Sequence, residues 1–293
     1  MKYIEKHPII MIVVGVLGIS LSSIFVKYSS APSAVTAAYR LLWTILLMSP
    51  VTFGRREIRQ ELFQVTRRNL LLSILSGVFL AFHFTLWFES LRHTSVASST
   101  TIVCTEVIWV SLGYALFLKG RMSLRSVLAI AVTLVGSALI AFADSSAGGA
   151  HLYGDLLSLL AAITVAAYVL LGRVVRETVS TTVYTFIVYA SCAVMLLLFC
   201  LVQRNNLFGY GFSGILVGLL LAVFSTILGH SIFSWCLKYF SPSFVSASKL
   251  CEPVVAAILA GILFGETPAP LQLAGGAMIL GGVLYYSKLE REV

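Results

Sequence analysis

Apolar runs long enough to cross a bilayer recur along the whole chain, separated by short polar segments. A transmembrane helix needs roughly 20 mostly apolar residues. A membrane β-barrel would instead give segments of about ten residues with alternating polarity, which this sequence lacks. We therefore predict an all-α integral membrane protein with ten transmembrane helices, at 8–27, 33–53, 70–92, 95–118, 124–142, 154–172, 181–203, 212–237, 243–264 and 270–287.

The amino-acid composition supports the lipid bilayer as the environment of these runs. Hydrophobic residues make up 59% of the chain and charged residues only 11%, whereas an average soluble domain is about 25% charged. A soluble protein of this length has no interior large enough for so much apolar surface, but lipid solvates it.

Basic residues sort unequally between the two sides of the predicted helix array. Of the 20 Lys and Arg residues, fifteen fall on the side that holds both termini, and only Lys27, Arg92 and Arg204 fall on the other. Cytoplasmic loops of membrane proteins carry such an excess of positive charge. We therefore expect a protein of the cytoplasmic membrane with both termini in the cytoplasm. The net charge of +8 is then a topology signal, and we expect no nucleic-acid partner.

The second half of the chain echoes the first. The run LRHTSVASSTTIVCTEVIWVSLGYALFL (91–118) aligns with LKYFSPSFVSASKLCEPVVAAILAGILF (237–264) at an offset of 146, which pairs Glu106 with Glu252. Each run is followed by a short loop and a Gly-rich last span. The chain is therefore predicted to contain two copies of one structural unit.

The two units are predicted to span 1–142 and 154–293, with a linker at 143–153. Each unit has five spans, so the second enters the membrane from the opposite side. The fold class is thus ten transmembrane helices arranged as two inverted five-helix repeats. Inverted repeats are typical of secondary transporters, which bind substrate near the midplane between the repeats.

One long segment carries a family resemblance. The run EPVVAAILAGILFGETPAPLQLAGGAMILGGVLYY (252–286) resembles the closing signature of the drug/metabolite transporter superfamily, EamA-type branch, and AAYRLLW around Arg40 is also similar to that family. The resemblance covers both units. It implies export or exchange of amino acids or similar metabolites through a central cavity. The chain departs from a fully repeated pattern at one turn, because Gly265-Glu266 has Lys119-Gly120 as its counterpart.

Three charged residues fall near the middle of predicted spans, where insertion of a charge is costly. Glu106 and Glu252 occupy equivalent places in the two units, so an inverted fold could bring both to one cavity. Lys249 lies three residues before Glu252 and shares its helix face. Either these two side chains form an internal ion pair, or Lys249 binds an anionic group of the substrate. The carboxylates could also serve packing alone.

Four further residues are candidates for the substrate site. Arg40 lies inside the second span and could contact substrate or form a structural pair. His83 and His230, near matched positions of the two units, could relay protons or simply be hydrogen-bonded. Trp109 follows Glu106 by three residues, so it could stack on a substrate or pack against neighbouring helices.

The leading functional hypothesis is a secondary transporter that moves small polar metabolites, amino acids or similar, by alternating access. A nucleotide-binding loop of the GxxxxGK[ST] type is absent, and we expect no cofactor, no metal and no enzymatic activity. The alternatives are an intramembrane enzyme, for which no HExxH or GxSxG motif occurs, and a channel. Gly281 and Gly282 are compatible with the seam of a homodimer.

Overall fold

The computed structural model describes residues 7–94, 96–144, 152–252, 254–255, 258 and 270–291. Every element of regular structure in these residues is helical. The α-helices are α1 (Pro8–Ser20), α2 (Ser22–Lys27), α3 (Ser33–Gly54), α4 (Arg56–Gln64), α5 (Arg67–His93), α6 (Val96–Cys104), α7 (Glu106–Phe117), α8 (Leu124–Asp144), α9 (Leu152–Val175), α10 (Thr181–Val202), α11 (Gly211–Leu220), α12 (Ile232–Cys236), α13 (Pro242–Ser248) and α14 (Pro270–Arg291). A π-helical segment, Leu221–Ser231, joins α11 to α12, and a 3-10 turn, Lys249–Cys251, follows α13.

Nine of the ten predicted spans have an apolar helix in the described part of the chain. Seven helical stretches are long and apolar enough to cross a membrane: Pro8–Lys27, Ser33–Gly54, Arg67–His93, Ser99–Phe117, Leu152–Val175, Thr181–Val202 and Gly211–Cys236. Two shorter apolar helices, Leu124–Leu139 and Leu273–Leu289, correspond to the fifth and tenth predicted spans. The ninth, 243–264, is described over 243–252, 254–255 and 258 only, and Gly265-Glu266 and most of the linker lie outside the described residues.

Four of the predicted spans are not the continuous α-helices that their apolar runs indicate. The first is interrupted at Leu21, the fourth is interrupted at Thr105, the eighth changes to π-helix over Leu221–Ser231, and the ninth contains the 3-10 turn Lys249–Cys251. A further short helix, α4, lies between the second and third predicted spans, in the segment that carries Arg56 and Arg59. Hydropathy reports the apolar length of a segment but not the hydrogen-bond register within it, so such breaks are not visible in the sequence.

Serine and threonine caps explain where several of the helices begin. Thr66 accepts a hydrogen bond from the Asn69 amide at 3.3 Å, and Ser241 accepts one from the Phe244 amide at 3.2 Å. Such side chains satisfy amides that lack a partner in the first helical turn. Ser180 caps α10 in the same way, through the Val183 amide. Capping fixes the entry of each helix close to the predicted membrane surface.

Helix packing pairs elements of the first half with elements of the second. Helix α5, in the third span, packs along α9, in the sixth. The corresponding contact with first and second halves exchanged is that of the π-helical segment, in the eighth span, with α1, in the first. Helix α5 also packs on α10, and the counterpart is α11 on α3. Two further pairs, α3 with α10 and α8 with α14, join an element to its own equivalent, and α7 with α13 joins parts of the equivalent fourth and ninth spans. This exchange of roles is the packing that inverted repeats would give.

Glycine allows close contact between α8 and α14. A Cβ atom on Gly282 would lie 2.9 Å from Thr133 Cγ2 and 3.0 Å from the Ala129 carbonyl oxygen, whereas one on the adjacent Gly281 would meet nothing within 4 Å. Gly282 therefore packs against α8 within the chain, and the homodimer stays a prediction. Gly281 does not contact α8 and leaves that prediction untested.

Gly282→Ala is expected to lower the free energy of unfolding by roughly 1–3 kcal/mol, the usual cost of overpacking. Gly281→Ala is the matched control, since alanine favours helix at an open position and should leave stability equal or slightly higher. Thermal unfolding of both variants in the same detergent measures the difference. Equal melting temperatures would mean that the contact between α8 and α14 is looser than the structure has it.

Candidate substrate site

Two helix breaks bring the charged residues of the two halves together. At Thr105 the amide bonds back to the Ile102 carbonyl at 3.0 Å, and Glu106 begins α7. In the second half, the 3-10 turn Lys249–Cys251 directly precedes Glu252. The offset of 146 pairs Thr105 with Cys251, so the breaks occupy equivalent places. Each glutamate therefore lies just after an interruption, where the backbone departs from regular α-helix.

A buried ion pair joins the two halves. Lys249 Nζ lies 2.8 Å from Glu106 Oε1, and the side chains are only 8% and 4% exposed. The ammonium also lies 5.4 Å from the centroid of the Phe233 ring. The hypothesis of a pair between Lys249 and Glu252 is thus not the arrangement found, because the 3-10 turn directs the lysine across the interface to α7.

Glu252 keeps an unused carboxylate oxygen. The residue is 9% exposed, and its Oε1 has no hydrogen-bond partner among the described residues. Buried polar atoms normally have a partner, because leaving one unpaired costs free energy. Glu252 therefore differs from Glu106, although the sequence offset of 146 pairs the two residues.

Arg40 is the most completely buried charged residue of the site. It is 0% exposed, its Nε donates to Thr226 Oγ1 at 2.6 Å, and its guanidinium carbon lies 4.1 Å from the centroid of the Phe84 ring. Nη1 and Nη2 have no partner in the part of the chain that the structure describes. The two nitrogens that form the fork for a carboxylate are therefore free.

The π-helical segment positions three polar side chains around Arg40. Thr226, which holds Arg40, donates its own hydroxyl to the Leu221 carbonyl, five residues back, at 3.2 Å. Residues five apart share a face in a π-helix, so Ser225 and His230 both reach the same cavity. π-helical turns are frequent at functional sites. The π-helical backbone thus places Ser225 and His230 on one face of the span, whereas a regular α-helix would turn them to different directions.

The two histidines lie side by side, with ring centroids 6.3 Å apart. His83 Nδ1 donates to the Ala161 carbonyl at 3.0 Å, which fixes that nitrogen as the protonated one. The ring of Trp87 stacks on His83 at 6.0 Å and 13°. His230 Nδ1 has no partner within the described residues. His83 is therefore held by a hydrogen bond to the backbone, whereas Nδ1 of His230 is available to bind a ligand in the cavity.

These side chains enclose one small cavity of about 40 Å³. Six of the seven residues predicted from sequence line it: Arg40, His83, Glu106, His230, Lys249 and Glu252. Trp109 is not among the lining residues. The aromatic residue there is Trp87, and Ser22 and Ser225 are further polar wall residues that sequence reasoning missed. Trp87 follows His83 by four residues on α5, a spacing that could have identified it.

The next feature is the set of side chains that could bind a metal ion. No group of three or more His, Cys, Asp or Glu side chains within the described ranges could hold a metal ion. The five cysteines are free, and four of them are buried.

Comparison with known proteins identifies what the chain resembles. The model of the EamA-like transporter family matches residues 7–142 and again 152–288. An uncharacterized transporter of Bacillus subtilis (strain 168), YxxF, is 25% identical over 285 residues, covering 95% of this chain and 87% of the relative. A probable amino-acid metabolite efflux pump of Salmonella typhimurium (strain LT2) is 24% identical over 288 residues, covering 93% and 91%.

A solved structure described only as the crystal structure of a protein has the same fold. The superposition gives a TM-score of 0.78 at 16% identity and covers 98% of both chains.

Proposed function

The chain belongs to the EamA-like transporter family and is a multi-pass membrane protein, and on that premise we propose that it is a secondary transporter of small zwitterionic metabolites. Amino acids or similar solutes are exported or exchanged across the cytoplasmic membrane by alternating access. The Salmonella relative is named a probable amino-acid metabolite efflux pump, which agrees with this substrate class.

The observation that carries the proposal is a pair of unmatched charges in one cavity. Arg40 offers Nη1 and Nη2, and Glu252 offers Oε1, without a partner in the described structure. Both residues line the same 40 Å³ space. Burial of an unpaired polar group is costly, and a zwitterion supplies both complements. Its carboxylate would bind the fork of Arg40 and its ammonium would bind Glu252.

The small volume of the cavity favours alternating access over a channel. The cavity of about 40 Å³ is far smaller than the roughly 300–1,000 Å³ of ordinary ligand pockets. An amino acid enters only if the helices around Arg40 and Lys249 move apart. Movement of this kind, alternately toward each side of the membrane, is the mechanism of secondary transporters built from inverted repeats.

Three observations support the repeat architecture that this mechanism needs. The breaks at Thr105 and at Lys249–Cys251 lie at equivalent positions, the packing pairs exchange between halves, and the family model matches twice. We therefore retain ten spans in two inverted units, with both termini in the cytoplasm as the charge distribution predicts.

Counterflow in proteoliposomes tests the function. Liposomes preloaded with an unlabelled solute are expected to accumulate the labelled solute transiently when that solute is a zwitterionic amino acid. Nucleosides and amines without a carboxylate should exchange poorly. A channel would equilibrate the label without overshoot, and an enzyme would alter the solute chemically. Either result, or an absence of exchange for every amino acid in the panel, would contradict the proposal.

A further inference from the structure

A second, larger cavity lies between α2, α3 and α5. Its volume is about 260 Å³, and its walls include Lys27, Ser29, Thr36, Leu91 and Arg92. In the predicted topology Lys27 and Arg92 are two of the three basic residues on the outer face. We call this space the outer cavity. Its volume approaches the lower end of the range for ligand pockets, about 300 Å³, so it can hold a small solute that the central cavity cannot.

The outer cavity lies directly outside the central cavity on the same helices. Thr36 lines the outer cavity and Arg40 the central one, four residues apart on α3. Leu91 and Trp87 have the same relation on α5. Four residues correspond to about 6 Å along a helix. A single helical turn of wall therefore separates the two cavities, and a solute that leaves the central cavity outward enters the outer one.

Arg92 is fixed at the wall of the outer cavity. Its Nη2 donates to the Ala31 carbonyl at 2.8 Å. The nearby carboxylate of Glu89 is bonded through Oε2 to Ser33 at 2.8 Å and faces His93 through Oε1 at 3.2 Å. Glu89 is not a lining residue of the outer cavity, so the charged groups that line it are both basic.

The repeat reveals that Lys27 lacks a bond that its equivalent makes. At the offset of 146, Lys27 corresponds to Arg173 and Leu91 to Leu237. Arg173 Nη1 donates to the Leu237 carbonyl. Lys27 Nζ takes part in no hydrogen bond or ion pair within the described chain, although it borders the same cavity as Leu91. The second half thus satisfies its cation internally at the inner end, whereas the ammonium of Lys27 is exposed to solvent and can reach a ligand that enters the outer cavity.

We propose that the outer cavity is a second binding site, in which Lys27 and Arg92 hold the carboxylate of the solute on the outward side of the central cavity. The identity of the solute rests on the proposed function, but the site itself stands on the cavity, its two cations and their geometry. Carboxylate binding by an ammonium and a guanidinium is a charge-assisted contact, and a small acid without an amino group should therefore occupy it as well.

Thiol labelling tests this site without requiring transport. Ser29→Cys introduces a reporter in the wall and retains both cations, and the parent protein reports any background from the native cysteines. The protein is reconstituted in phosphatidylcholine liposomes and labelled from outside with a membrane-impermeant thiosulfonate. We expect acetate and L-alanine to slow labelling and acetamide to have no effect. In Ser29→Cys/Lys27→Met, the acetate concentration that halves the labelling rate should rise about tenfold, which corresponds to the loss of one charge-assisted hydrogen bond.

Arg204→Met is the matched control, because it removes the third outer cation, which does not line the outer cavity. It should leave protection unchanged. Equal protection by acetamide, or protection that survives Lys27→Met, would overturn the proposal.

A lipid phosphate is the other source of a suitable anion, so the labelling is repeated with phosphatidylglycerol present. Slowing by that lipid alone, without an effect of acetate in phosphatidylcholine, would assign the cavity to lipid. Acetate protection without amino-acid counterflow would instead retain the site and reject the proposed function.

Discussion

Glu106→Gln and Lys249→Met are each expected to reduce sharply the yield of folded, membrane-inserted protein. The two side chains form a 2.8 Å ion pair that is almost fully buried. Removing one partner of a buried pair leaves an uncompensated charge and costs roughly 3–5 kcal/mol. Combining both substitutions removes both charges, so Glu106→Gln/Lys249→Met should recover much of the lost yield. Monodisperse elution in detergent and the melting temperature measure the recovery.

A second double variant makes this test specific. If Lys249 were instead matched by Glu252, as their spacing on one helix suggested, Lys249→Met/Glu252→Met would be the variant that recovers. The structure predicts that it does not, because Glu106 would remain buried without its cation. Recovery by the Glu252 pair and not by the Glu106 pair would show that the contact across the interface is wrong.

Transport by the recovered double variant separates structure from function. We expect Glu106→Gln/Lys249→Met to fold and yet exchange amino acids poorly, because the pair holds α7 against the 3-10 turn that precedes Glu252. Counterflow at the parent rate would mean that the pair serves packing alone.

The sequence was sufficient to predict where nine apolar helices of the described chain lie and which residues form most of the wall of the central cavity. Apolar length places a helix at each described span, and the high cost of charges at membrane depth identifies Glu106, Lys249 and Glu252. The predicted repeat led to the expectation that Glu106 and Glu252 reach one cavity, and both line it. These inferences depend on local composition and on one internal offset, which are properties of the sequence itself.

The partners of these charges could not be predicted, because they depend on contacts between distant helices. The spacing of Lys249 and Glu252 favoured a pair within one helix, but the 3-10 turn gives the lysine to Glu106. Trp109 shares a helix face with Glu106, yet it does not line the cavity, since helix rotation decides which neighbour a side chain faces. The π-helical register that brings Ser225 and His230 together likewise leaves no mark in hydropathy.

Arg40 and Glu252 are expected to control recognition of opposite ends of the solute. An amino acid that exchanges in counterflow is compared with two analogues as competitors, the amine that lacks its carboxylate and the acid that lacks its amino group. In Arg40→Gln the amino acid should lose its advantage over the amine. In Glu252→Gln it should lose its advantage over the acid. Each loss corresponds to a charge-assisted hydrogen bond, about 1.5–3 kcal/mol, or roughly tenfold to a hundredfold in relative affinity.

Arg40→Lys refines the assignment of the carboxylate to the guanidinium fork. Lysine retains the positive charge but cannot present two parallel donors to a carboxylate. If Nη1 and Nη2 bind the solute together, Arg40→Lys should lose most of the selectivity for carboxylate while folding near the parent level. Selectivity retained in Arg40→Lys would mean that the site needs only a positive charge at this position.

Glu177→Gln is the matched control for the carboxylate, since Glu177 is exposed and outside both cavities. It should leave both competitor ratios unchanged. The decisive feature is that the two ratios respond separately, because a general loss of stability or of helix movement would lower exchange for all solutes and move both ratios together. If Arg40→Gln and Glu252→Gln change the same ratio, or neither, then the unpartnered atoms of the cavity do not bind the two ends of a zwitterion. The unmatched charges would then require a different ligand.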